Sequence, residues 1–304
     1  MVIAGSDPCA TDLSASKASM RVFGLGACLL SGPLSEGIRR DLIGRAVIGR
    51  GGPTPGTYSF GEMFQLLDFL EGKIDIPAEY RSICGYKETY APGPGASGFT
   101  GADVCLIEPN GVVDIDFRGL KLNRAQVQAL LARLKQISRP AAKAASRWYA
   151  QGLLACNDAL QKEIATELIA AMPDDFTDRA FIEAVLTEAE GMLRDVADDL
   201  AQLRRRIPIP IGLIAYAYQY LPDGRPVFWP PDLQEQIKTA AAQLGMPYIE
   251  PWRLVLEHGG EPVLKPDLRH YREEFIPTIS TLFARFAAEV AAAAPATSQS
   301  SAKE

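Results

Sequence analysis

"VFGLGACLLSGPL", residues 22–34, decides how the chain is read. Its first half alternates and then runs apolar, as a buried strand does. It breaks on Gly24 and Gly26 and delivers Cys28 where a helix can begin, with "PLSEGIRRDLI" following. A strand leading through a tight turn into a helix is the opening unit of an α/β fold. Cys28 itself has two readings, a small hydrophobe at a strand end or a nucleophile on a turn. Its immediate neighbours do not choose between them.

Working outward, strand-sized apolar segments recur at 45–48, 102–107, 209–216 and 247–249, with helical patterns between them. "SFGEMFQLLDFLEG" places Phe60, Phe64, Leu67 and Leu70 on one stripe and stops at Gly72. "DLQEQIKTAAAQLG" does the same with Leu233, Ile237 and Leu244 and ends at Gly245, a residue suited to a helix C-terminus. Strands alternating with helices predict a mostly parallel sheet covered on both faces. Ligands of such sheets sit beyond the carboxyl ends of the strands, the edge to which Cys28 belongs.

The alternation lapses from about 123 to 206, which reads as helix only. Asn123 and Gln126 form a capping pair ahead of Val127, Leu130, Leu131, Leu134 and Ile137. Ile182, Leu186, Ala189, Leu193, Val196, Leu200 and Leu203 then recur at spacings of four and three, predicting one sustained amphipathic helix. The expected organisation is therefore a disordered or loosely packed segment at 1–20, a single α/β domain at 21–292 with a helical hairpin inserted at about 123–206, and a low-complexity, disordered tail at 293–304. The hairpin is a scaffold, a lid or the contact of a homo-oligomer.

Composition narrows the function classes. A net charge of -6 over 304 residues argues against nucleic acid as a partner, and Arg204, Arg205 and Arg206 read as a solvated helix end. The start lacks the charged and apolar regions of a secretory signal, and the longest apolar stretches read as strand-sized, so no membrane association is expected. Five cysteines without a CxxC pair, beside only two histidines, support neither a disulfide framework nor a zinc site. The expectation is a cytoplasmic protein with reduced thiols. "FGLGAC" lacks the third glycine of a dinucleotide turn and "GRGGPTPG" lacks the Lys-Ser/Thr of a phosphate loop, so no cofactor is implied.

The histidines are His258, in a Gly-rich turn, and His270, in "KPDLRHYREEF". Asp267 stands three residues before His270, a spacing that lets a carboxylate accept the imidazole Nδ1–H and leaves Nε2 as a base. Near a base or a helix N-terminus, a cysteine is converted to its reactive thiolate form below its usual pKa of roughly 8.5. Cys105, inside an apolar strand, reads as packing, and Ser31 competes with Cys28 less well because it lies beyond the turn.

Taken in order, Gly26-Ala27-Cys28, the "GRGG" turn at 49–52, "CLIEPNG" and Asp267-x-x-His270 resemble the blocks of the SGNH/GDSL hydrolase superfamily, from about 21 to 290 apart from the helical stretch. The first block reads Gly-Ala-Cys rather than Gly-Asp-Ser, closer to a bacterial Gly-Ser-Cys branch tied to surface polysaccharide synthesis. The third reads Glu108-Pro109-Asn110-Gly111 rather than Gly-x-Asn-Asp.

The resemblance implies a three-layer α/β/α flavodoxin-like sheet and a Cys28-His270-Asp267 triad. It also implies an oxyanion site from the Cys28 amide, Asn110 and Gly51 or Gly52. Loss of such a donor costs on the order of 10²-fold in rate. Glu108 is a strand-end carboxylate or a substrate hydrogen-bond acceptor. The implied activity is hydrolysis or transfer of an acyl group on a small-molecule or carbohydrate ester, or on a thioester, with acetyl-CoA or another acyl thioester as co-substrate. The alternative is a non-catalytic SGNH-like ligand-binding or interaction protein. The loop "GYKETYAPGPGASGFTG" is either solvated or a cover over the site.

Overall fold

The computed structural model describes residues 20–47, 55–90, 101–215, 232–267 and 270–293. The expectations for 1–19, 294–304, Gly51, Gly52 and the loop at 91–100 lie outside these residues. In chain order the first half contains β1 (Arg21–Leu25), α1 (Cys28–Arg39), β2 (Arg45–Val47), α2 (Phe60–Leu70), α3 (Ala78–Arg81), β3 (Val104–Ile107), β4 (Val113–Phe117) and β5 (Leu120–Lys121). Then come α4 (Arg124–Lys135), α5 (Arg139–Arg147), α6 (Asp158–Ala171), α7 (Arg179–Glu188), β6 (Glu190–Leu193) and α8 (Val196–Arg206). The chain closes with β7 (Ile211–Ile214), α9 (Leu233–Leu244), β8 (Tyr248–Ile249), α10 (Pro251–Glu257) and α11 (Ile276–Ala293).

Two compact units result, one of residues 1–56, 95–110 and 196–304, the other of 57–94 and 111–195. The helical stretch expected at about 123–206 falls largely within the second of these. The second unit begins earlier, taking in α2, and ends earlier, leaving α8 to the first.

The first unit is mixed α/β. Its sheet has the order β2-β1-β3-β7-β8, and every pairing is parallel. β3 and β7 are buried at every position, as strands covered on both faces must be. Val22, Val104, Leu106 and Ile214 face α1 and α11, whose Leu30, Leu34, Ile279, Phe283, Phe286 and Val290 complete the core. A Cβ on Gly212 would lie 2.7 Å from Phe286 Cε1, so glycine there lets α11 settle onto β7.

By length and composition α11 could cross a membrane, against the expectation that apolar stretches are only strand-sized. Its apolar stripe is the one just described as facing the sheet. α9 ends at Gly245 with φ 62°, the left-handed cap its sequence predicts.

The second unit pairs helices with a three-stranded antiparallel sheet of order β5-β4-β6. Asn123 caps α4 as expected, its side chain accepting the Gln126 N–H at 3.3 Å. The long helix expected over 182–203 is instead α7, then β6, then α8. The stripe survives at Ile182, Leu186, Ala189, Val196, Leu200 and Leu203, all buried, but Leu193 is 68% exposed. Gly191, a poor helix former, sits in β6 where a Cβ would strike the Leu153 carbonyl. Four paired positions with β4 replace the helical hydrogen bonds there.

A buried polar cluster closes this unit around Glu62. Its carboxylate accepts from Asn123 Nδ2 at 2.8 Å, Tyr58 N–H at 3.2 Å and Arg124 N–H at 3.3 Å. Nearby, Asp114 accepts from Gly61 N–H at 2.8 Å.

Candidate functional site

The register of β1 on β3 sets Leu25 opposite Ile107, so the two strands end together. Gly26-Ala27-Cys28 therefore leaves the sheet beside Glu108, whose N–H donates to the Leu25 carbonyl at 2.8 Å. Cys28 is the first residue of α1, and Ala27, the N-cap, has no side chain able to accept a hydrogen bond. Glu108 does that work from the neighbouring strand. Its Oε2 accepts the N–H groups of Ala27 and Leu30, each at 3.1 Å. These are first-turn amides that helix geometry leaves without an intrahelical partner. A Cβ on Gly26 would lie 2.8 Å from Glu108 Cβ, so the turn and the carboxylate fit only with glycine there. Glu108 is 1% exposed and acts on α1 as a cap inserted from the end of β3.

His270 arrives from the far end of the chain on a loop tied back on itself. Leu264 and Tyr271 form an antiparallel bridge, and Lys265 N–H donates to the His270 carbonyl at 2.7 Å. Tyr271 and Phe275 are buried in the same core that holds α1. Asp267 accepts from His270 twice: Oδ2 lies 2.6 Å from Nδ1, and Oδ1 takes the backbone N–H at 3.2 Å. A carboxylate accepting from Nδ1 fixes the tautomer in which Nε2 is an acceptor. That Nε2 lies 2.8 Å from Cys28 Sγ. The His270 and Asp267 side chains are 38% and 47% exposed, so the charge pairing between them is screened by water.

The cysteines differ sharply in setting. Cys28 is partly exposed, whereas Cys84 and Cys105 are buried. Burial pushes the Cys105 thiol far up, and burial together with Glu62 pushes Cys84 up to about 12. Ser31, inside α1, is 5% exposed. Burial raises the Glu108 carboxyl to about 7 against the opposing hydrogen bonds from Ala27, Asn110 and Leu30. Asn110 is buried and turned toward that carboxylate.

Of the residues singled out in the sequence, Cys28, His270 and Asp267 are thus contiguous, and Glu108 and Asn110 lie behind the Cys28 turn. The cap on α1 escapes sequence reasoning because it joins positions 81 and 78 residues apart. Gly56 also goes unnoticed. A Cβ there would be 3.6 Å from the Gly26 carbonyl, so this glycine of "GGPTPG" borders the turn. A cavity of about 500 Å3 in the second unit, lined by Glu79, Arg133, Asp178 and Phe181 among others, includes none of these residues. Chemically, the first unit's arrangement can pass a proton from sulfur to imidazole and hold the resulting cation against a carboxylate.

The model of the TviD N-terminal domain family matches residues 20–285, and the chain belongs to that family. No curated protein and no solved structure matches it.

Proposed function

We propose that this member of the TviD N-terminal domain family is an acyl hydrolase or acyltransferase with Cys28 as nucleophile, working in carbohydrate or surface polysaccharide modification. The observation that carries the reading is the 2.8 Å approach of Cys28 Sγ to His270 Nε2, with Asp267 2.6 Å behind the imidazole. The family supports the substrate class, since TviD is a protein of Vi antigen, a polysaccharide, biosynthesis. The strand order β2-β1-β3-β7-β8 is the 2-1-3-4-5 order of flavodoxin-like sheets, which supports an SGNH-type fold for the first unit.

In this reading His270 Nε2 takes the thiol proton and the sulfur attacks the acyl carbonyl carbon. The carbonyl electron pair moves onto oxygen, giving an oxyanion. The Cys28 backbone amide, at the positive end of α1, stabilises that charge. A carboxamide carries two N–H groups, so Asn110 can serve both Glu108 and the oxyanion. Collapse expels the alkoxide or thiolate, which takes the proton from His270. Water or an acceptor hydroxyl then attacks the acyl-cysteine, with His270 again as base, and the thiol is regenerated.

The test is release or transfer of acyl groups from acetyl-CoA and acetylated sugars by the whole chain. Wild type is expected to form an acyl adduct on Cys28, seen by peptide mass. Cys28→Ala and His270→Ala are expected to lose turnover by about 10³-fold or more. No adduct on any ester or thioester, with the chain folded, would leave a ligand-binding role in its place.

A further inference from the structure

Glu108 and Cys28 address the same helix end. The aligned peptides of α1 place roughly half a positive charge at its N-terminus. Glu108 Oε2 takes two first-turn amides there, Ala27 and Leu30, and Cys28 opens the same turn. A thiolate at Cys28 and a carboxylate at Glu108 are therefore two anions drawing on one partial positive charge, and each makes the other harder to ionise.

We propose that Glu108 is a positioning residue that regulates Cys28: ionised, it occupies the positive end of α1 and holds the sulfur back; protonated, it keeps the turn closed and leaves the helix end to the thiolate. The inference rests on the reading of Cys28 as a nucleophile. A protonated carboxyl still accepts N–H bonds through its carbonyl oxygen, so the turn keeps its geometry while the charge changes. The groups facing Glu108 are the Ala27 and Leu30 amides on α1 and the Asn110 carboxamide beyond β3. Cys28 faces His270 from the C-terminal loop, with Asp267 behind it. Because burial brings the Glu108 carboxyl to about 7, both forms occur in the range where a cysteine–histidine pair operates.

The experiment is the rate of Cys28 alkylation by iodoacetamide from about pH 5.5 to about pH 9 in the whole chain, wild type against Glu108→Gln, with the site located by peptide mass. The glutamine keeps a side-chain oxygen to accept the two amides and removes the charge. Its midpoint is expected about one pH unit below wild type, with a several-fold faster rate near pH 8, where wild-type Glu108 is ionised, and an unchanged plateau. A midpoint that stays or moves upward overturns the proposal. Should Glu108→Gln not fold, His270→Ala decides: its residual alkylation is expected to show two ionisations, the sulfur's and that of Glu108, and a single step overturns the proposal. Wild-type Cys28 inert at every pH overturns the nucleophile reading and this one with it. A reactive Cys28 with an unmoved Glu108→Gln profile overturns this one alone.

Discussion

Each unit buries a glutamate against the start of a helix, with a cysteine on the braced turn in the first and one under the glutamate's charge in the second. In the first unit Glu108 braces α1 and Cys28 stands on the same turn, partly exposed and 2.8 Å from an imidazole. In the second, Glu62 braces α4 through the Arg124 amide and the capping residue Asn123, and its charge acts on buried Cys84. Both carboxyls are lifted by burial, to about 7 and about 8. Glu62 is further opposed by the charge of Arg124. A buried carboxylate at a helix start is therefore a common structural device in this molecule and does not by itself mark a site. The base and the opening to solvent distinguish Cys28, and the base comes from the loop that carries His270.

The sharpest way to break the comparison is through the sulfurs. At neutral pH iodoacetamide is expected to label Cys28 at least about 10²-fold faster than Cys84, since a thiol raised to about 12 holds almost no thiolate. His270→Ala is expected to remove the low-pH limb of Cys28 labelling and leave Cys84 as it was. Equal rates at the two cysteines in the folded chain would show that the imidazole contributes nothing.

Next in size is Glu62→Ala. It strips the acceptor from Asn123 Nδ2 and from the Tyr58 and Arg124 amides, all in a buried cluster. A loss of about 3 kcal/mol in stability is expected, read as a lower urea midpoint, with the Cys28 labelling profile unmoved. A shifted labelling profile would mean that the two glutamates are not independent.

Asp267→Asn is a milder change, because both members of the Asp267–His270 pair are more than a third exposed. About a tenfold fall in Cys28 labelling near pH 6.5 is expected, well short of the loss at a buried triad carboxylate. A fall as deep as that of His270→Ala would mean that the asparagine reverses the imidazole tautomer.

Stability against pH compares the two glutamates directly. An acid whose folded pKa exceeds its unfolded value binds more protons when folded, so its contribution is full below the unfolded value of about 4.5 and is lost as pH rises through the folded one. Stability is therefore expected to decline between about pH 4.5 and about 7 through Glu108, and on to about 8 through Glu62. Urea midpoints for wild type and Glu62→Gln check this. The variant is expected to decline less at the upper end of the range.

Much of this molecule is decided locally. The strand-turn-helix at 21–39, the Asn123 cap and the Gly245 stop follow from neighbouring residues, because caps and apolar periods act within one or two turns of chain. The Asp267–His270 contact is local too, spanning three residues. Its approach to Cys28 is not, since 242 residues separate them; the sequence signals that pairing only through the order of its motifs.

Where partners lie far apart and carry no periodic mark, the tertiary structure alone decided the outcome. β6 interrupts a stripe that reads as one helix, because pairing with β4 outweighs the helical preference of a short segment containing Gly191. Glu108 becomes the cap of α1 because parallel pairing brings the end of β3 beside the end of β1, and the turn leaves amides that only a group from outside the helix can satisfy. Local hydrogen bonds and apolar spacing are written into a single stretch of chain. Which buried donor meets which distant acceptor depends on how the strands are ordered, and that order emerges only when the whole core packs.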